Sequence, residues 1–116
     1  MSYDIRLDCE LEQPHNLQGG TYAVGGTTEP WLNVTYNYSH HFYRVMGEKG
    51  VRSIYGLTAR QSVPVLLAAI DQLGTDTSDD YWQATEGNAR EALCGLLTIA
   101  VAAIAEGKGG AQWSGD

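Results

Sequence analysis

The chain has 116 residues, the size of one domain, and is long enough to bury a core without disulfides or metals. Acidic residues outnumber basic ones 14 to 7, for a net charge of −7. Such a surface repels phosphate backbones, which excludes general nucleic-acid and anionic-membrane binding as first readings. A hydrophobic fraction of 43% with 18% charged residues excludes a disordered chain.

The first segment alternates. Tyr3, Ile5, Leu7, Cys9 and Leu11 are apolar or aromatic, and Asp4, Arg6, Asp8, Glu10 and Glu12 are charged. A period of two predicts a strand with one face on a core, ended by Pro14. Gly19-Gly20-Thr21 recurs as Gly25-Gly26-Thr27. Paired glycines permit tight turns, so a short hairpin or edge strand fits Thr21–Val24. No P-loop lysine or dinucleotide-binding spacing follows them.

A second strand is predicted from Leu32 to about His41. Leu32, Val34, Tyr36, Tyr38, His40 and Phe42 share one parity. Asn33, Thr35, Asn37, Ser39 and His41 share the other, a face with no formal charge. Such a row of donors and acceptors suits a bound polar ligand, a protein partner or a buried hydrogen-bond network. A short helix is predicted over Phe42–Met46, stopped by Gly47 and Gly50.

Thr58-Ala59-Arg60-Gln61 has the form of a capping box. Val63, Leu66, Leu67, Ile70 and Leu73 then follow helical spacing to a stop at Gly74. Pro64 conflicts with an uninterrupted helix. Either Ser62 caps the main helix after a separate turn, or the helix kinks there. Residues 75–80 read as a polar, acidic loop.

The last helix is predicted over Glu86–Ala105, with Thr85 as N-cap. Ala89, Leu93, Leu96, Leu97, Ala100, Val101 and Ile104 form one apolar face. Ala92, Gly95, Ile99 and Ala102 form a second, of mainly small residues. A helix apolar nearly all round is a central helix or an oligomer interface. Gly95, Ile99 and Ala102 are the candidate interface of a homo-oligomer. Ala111–Ser114 is expected to return as a strand beside the first. These elements predict an α+β fold, a small antiparallel sheet of three to four strands packed on two main helices.

No targeting segment is expected, because the first residues carry charge and lack an apolar core. The longest mostly apolar run, Leu93 to Ala105, is too short to span a bilayer. Cys9 and Cys94 are too few and too far apart for a disulfide framework or a zinc motif, which points to a reduced cytoplasm. No cofactor, metal site or catalytic set is assigned.

The charge is uneven. Arg44, Lys49, Arg52 and Arg60 face only Glu48, so this stretch carries +3 and the rest of the chain −10 of the total of −7. One reading pairs these residues with the acidic Asp76–Asp80 loop. The sharper reading is a small anion held by Arg44, Arg52 and the Asn33/Thr35/Asn37/Ser39/His41 face. His40 and His41 point to opposite faces of a strand and so do not share a metal. His40 falls on the core side as a hydrogen-bonded residue, and His41 is the candidate general base. Tyr81 and Trp82 follow the acidic loop, and an exposed aromatic there would suit interface anchoring.

Asn37-Tyr38-Ser39-His40-His41, then Gly56-Leu57-Thr58-Ala59-Arg60-Gln61-Ser62-Val63-Pro64-Val65-Leu66, resembles small proteins encoded in phage and prophage genomes, especially actinobacterial ones. Those carry an Asn-Tyr-Thr-His-Asn stretch and a Gly-x-Thr-Ala-x-x-Ala-Ile-Pro-x-Leu helix start. Tyr81 to Ala89 is similar to the region that opens their last helix. Ser39 and His41 stand where the family has Thr and Asn. The resemblance implies a setting, the cytoplasm of an infected bacterial host, and no established mechanism. The leading expectation is a non-enzymatic accessory protein that binds and blocks a host protein. The alternatives are sequestration of a small anionic, nucleotide-like ligand, a small hydrolase using His41, and a minor virion component.

Overall fold

The alternating N-terminal segment becomes the central strand of the sheet. In the computed structural model, which describes residues 1–17, 20–21 and 24–116, β1 (Ser2–Leu7) lies between β4 (Trp31–Thr35) and β5 (Trp113–Gly115), antiparallel to both. Tyr3, Ile5 and Leu7 point into the core while Asp4 and Arg6 face outward. Ile5 pairs with Leu32 on one side and Gly115 on the other. The strand ends at Leu7, well before Pro14. Leu11 is still buried, but its backbone N–H turns away to the Thr28 carbonyl. β2 (His15–Leu17) and β3 (Val24–Thr27) form a separate two-stranded sheet. The Gly19 repeat and the strand expected at Thr21–Val24 lie partly outside the described residues.

The strand expected over 32–41 stops at Thr35. The side chain of Thr35 accepts the Asn37 N–H and turns the chain into a 3-10 turn, Tyr36–Tyr38. α1 (Ser39–Met46) follows, starting three residues before the expected Phe42. Gly47, at φ 91°, ends it in a conformation that favours glycine. A second 3-10 turn, Gly50–Ile54, buries Val51 and Ile54.

α2 (Ala59–Asp71) begins with the expected capping box. Gln61 N–H bonds Thr58 Oγ1, and Thr58 N–H bonds Gln61 Oε1. The helix runs through Pro64 with no break. Ser62 is therefore not a cap. Buried inside the helix, its hydroxyl donates to the Ala59 carbonyl and accepts the Trp113 indole N–H, each at 2.8 Å. Trp113 also exchanges backbone bonds with Leu57 and Gly56, so it ties β5 to the start of α2.

α3 (Glu86–Ala105) is capped by Thr85, as its sequence predicts. It packs along α2 in the centre of the chain. Gly95 and Ile99 are buried by this chain's own core, and Ala102 is half-buried. Most of the small-residue face is therefore turned to this chain's own core, and Val101 is the large apolar side chain that α3 leaves exposed. The Leu93–Ala105 run is part of a longer helix that includes the charged Arg90 and Glu91. Among the described residues α3 is the one helix long and apolar enough to cross a membrane, and half of that window is buried inside the chain. The radius of gyration, 12.9 Å, is close to the roughly 13 Å of a folded chain of this length.

The chain after α3 is latched to the first loop. The Glu106 carboxylate accepts the backbone N–H groups of Glu12 and Gln13 and sits beside Lys108, whose ammonium bonds the Glu10 carbonyl. The Glu12 N–H, aided by that of Gln13 and by Lys108, holds the Glu106 carboxyl below the ordinary value of 4.5. Because the folded value is depressed, this stabilisation is present above the ordinary value and is lost as pH falls through the folded one. Urea midpoints of wild type and Glu106→Gln should therefore converge as pH falls from 7 to 3. Two parallel curves would contradict the latch.

Candidate functional site

Asn37, His41 and Arg44 are spaced four and three residues apart, which places them on one side of the helical turns that replace the expected strand. All three reach the same segment. Asn37 Nδ2 donates to the Trp82 carbonyl at 2.8 Å, and His41 Nε2 lies 2.8 Å from the Ala84 carbonyl. A carbonyl only accepts, so His41 holds its proton on Nε2 in this bond. Arg44 pairs with Glu86, and the buried Tyr38 donates its hydroxyl to the Tyr81 carbonyl. Burial, reinforced by Tyr81, Glu91 and Asp80, pushes the Tyr38 hydroxyl up to about 12, so it stays a donor.

Asn88, in the first turn of α3, holds the same loop from the other side. It is fully buried. Its Oδ1 accepts the Ser78 N–H at 3.0 Å, and its Nδ2 donates to the carbonyls of Asp80 and Gln83 at 3.1 Å each. One residue earlier, Gly87 N–H bonds the Asp76 carbonyl, and a Cβ there would stand 2.6 Å from that oxygen. Only glycine allows this approach. Within the loop, Trp82 N–H bonds Asp80 Oδ1 and Gln83 N–H bonds the Asp80 carbonyl.

The segment between α2 and α3 has no regular secondary structure, yet its main chain is fixed from both flanks. What it presents outward is the Trp82 side chain, 53% exposed, with Asp76, Asp79 and Asp80 beside it in sequence and also exposed. The same segment thus carries one exposed indole and three exposed carboxylates. Trp82 follows the acidic loop as expected, but the anchoring Asn88 and the Tyr38 hydroxyl escape a reading of the sequence. The one signal for Asn88 is an amide side chain in a helix otherwise apolar on most sides.

The remaining residues of the expected ligand face disperse. Asn33 is buried at the sheet, with Nδ2 donating to Ser2 Oγ and Asp4 Oδ1 at 2.7 Å each. Thr35 is the buried cap described above. Ser39 Oγ bonds Tyr3 Oη at 2.6 Å. His40, expected in the core, is exposed, because on a helix it no longer shares a face with Tyr38. Its ring stands 3.9 Å from that of His41.

Arg52 belongs to another cluster. Its guanidinium carbon lies 4.9 Å from the ring centre of Tyr3 and 5.8 Å from that of Tyr36. Nε donates to the main-chain oxygen of Asp116 at 2.8 Å, and Nη2 donates to Tyr36 Oη at 3.3 Å. Tyr55 Oη donates to the same Asp116 oxygen at 3.3 Å.

An open groove of about 540 Å³ runs beside β1, lined by Arg6, Cys9, Glu10, Thr28, Glu29 and Trp31 among others. Burial pushes the Cys9 thiol up, an effect Lys108 opposes, so the thiol is not an activated nucleophile. Among the described residues no group of three or more His, Cys, Asp or Glu is placed to hold a metal ion. Comparison with family models, curated proteins and solved structures finds no match to this chain, so its own geometry carries the functional reading.

Proposed function

We propose that the protein is a non-enzymatic accessory protein that docks on a basic surface of a host protein through the 75–85 loop and blocks it. The observation that carries this reading is the half-exposed Trp82 on a backbone held at Tyr81 and Trp82 from the 3-10 turn before α1, at Ala84 from α1, and at Ser78, Asp80 and Gln83 from Asn88. Tryptophan is the side chain most often found at the energetic centre of an interface. A loop already fixed loses little freedom on binding, which favours affinity. Asp76, Asp79 and Asp80 would steer a cationic partner and reject an anionic one. His41 contributes as a positioning residue for the loop. The likeness of Asn37–His41 and Gly56–Leu66 to small phage-encoded proteins supports the host setting.

The test is affinity capture from actinobacterial lysate with the tagged chain. Wild type should recover one stoichiometric protein. Trp82→Ala should bind it at least about 30-fold more weakly, with an unchanged melting curve, because an exposed indole supports little of the fold. Asp76→Asn with Asp79→Asn should slow association and flatten its salt dependence. Equal capture by wild type and Trp82→Ala would refute the proposal.

A further inference from the structure

Residues 13–28 contain no Asp, Glu, Lys or Arg, a neutral stretch in a chain of net charge −7. His15 is the one side chain in it that can change charge near neutral pH. It opens β2, where an irregularity between His15 and Asn16 shifts the register with β3. Both of its ring nitrogens are buried, and neither has a hydrogen-bond partner. A neutral imidazole carries one donor and one acceptor, so both are left unsatisfied. Such groups are uncommon in folded chains and weaken the place that holds them.

The surroundings offer the ring no counter-charge. Among the described residues no carboxylate lies within ion-pair distance of it. The charged residues nearest along the chain, Glu10, Glu12 and Glu29, are all exposed. Burial alone holds the imidazole below its ordinary value of 6.5. A proton added to the ring would make both nitrogens donors with no acceptor in reach. The β2–β3 sheet is poorly built to hold such a charge. It lies outside the β4–β1–β5 ladder, and two strands alone are marginal. Its hold on the core comes from the buried side chains of Leu17 and Val24. Between the two strands in sequence, the Thr21 N–H donates to the Asn33 carbonyl at 2.7 Å, and a Cβ added to Gly20 would stand 2.5 Å from the same oxygen. β4 is an end strand of its sheet, so Gly20 and Thr21 lie over an edge that would otherwise be open to pairing.

We propose that His15 is a proton-operated latch: protonation of its buried ring releases the β2–β3 sheet and uncovers the edge of β4. The latch shares no residue with the 75–85 loop and does not depend on that loop's role. Because the folded value is depressed, the opened form binds the proton more tightly. Release therefore begins as pH falls below 6.5 and is complete below the folded value.

The experiment is amide hydrogen exchange of the isotope-labelled chain, read by NMR as pH is lowered from neutral into the acid range. Protection factors, corrected for the intrinsic pH dependence of exchange, should fall at Thr21 and in β2 and β3. The fall should be about tenfold for each unit by which His15 titrates below 6.5, while β1 and β5 keep their protection. His15→Leu, which cannot gain a proton, should abolish it. In wild type the His15 ring resonances and the Thr21 amide should titrate with one midpoint below 6.5, and this decides the matter if His15→Leu fails to fold. Equal loss of protection in β1 and β5, a fall that persists in His15→Leu, separate midpoints for His15 and Thr21, or a His15 midpoint at or above 6.5 would overturn the proposal.

Discussion

Asn88→Ala is expected to lower stability by about 2–4 kcal/mol and to abolish partner binding while Trp82 is still present. Asn88 is fully buried and makes one accepted and two donated side-chain bonds to the loop. Alanine leaves the Ser78 N–H and the Asp80 and Gln83 carbonyls without those partners. Near the surface water rescues some of them, which keeps the loss below the sum of three bonds. Asn88→Asp separates the roles of the two ends of the amide. It keeps the acceptor for Ser78 but sets a carboxylate against two carbonyls, so it should also destabilise. Urea denaturation measures the first effect and the capture assay the second. A variant within about 0.5 kcal/mol of wild type would show that the loop is not anchored there.

The second large effect is at Trp113. It is 2% exposed and joins the sheet to α2 through its ring, its indole N–H and its backbone. Trp113→Ala should lose about 3–5 kcal/mol, a large part of the roughly 5–15 kcal/mol that holds a domain together. Smaller changes divide the effect. Trp113→Phe keeps most of the packing and leaves the Ser62 hydroxyl bonded to Ala59. Ser62→Ala leaves a buried indole N–H unbonded and should lose about 1–3 kcal/mol. Thermal melts that place Trp113→Phe nearest wild type, Ser62→Ala below it and Trp113→Ala lowest would assign most of the effect to packing. A Ser62→Ala loss as large as that of Trp113→Ala would assign it to the hydrogen bond.

Much of the architecture is legible because local signals and tertiary needs agree. Thr58 with Gln61, and Thr85 before Glu86, mark their helix starts. The N-terminal alternation marks β1, and the return of Ala111–Ser114 marks the strand that pairs with it. The segment after Leu32 is harder because two periods coexist in it. Tyr38 and Phe42 are four apart and so share a face both on a strand and on a helix. Asn37 and His41 do the same. His40 is the residue that separates the readings, since a strand buries it and a helix exposes it. The capping side chain of Thr35 decides for the helix. Arg44 then joins Asn37 and His41 at helical spacing, and what resembles a polar ligand face becomes a clamp on a loop. The anticipated pairing of the basic stretch with the Asp76–Asp80 loop is not seen among the described residues; Arg44 pairs instead with Glu86 at the start of α3. Asn88 and the Arg52 cluster stay hidden in the sequence because each depends on contacts distant along the chain.

The strand order β4–β1–β5 has a consequence for how the chain is made. β1 is central, yet one of its two neighbours is built from residues 113–115. As synthesis proceeds, β1 pairs with β4 early, but its other edge stays open until the opposite end of the described chain leaves the ribosome. An unpaired edge is a template for mispairing with other chains. Closure of this sheet across such a separation also slows folding relative to the helical pair α2–α3, whose contacts are nearer in sequence. Because β5 follows the end of α3 by only a few residues, the helical pair and the strand that closes the sheet become available together, and Trp113 joins the two late in synthesis.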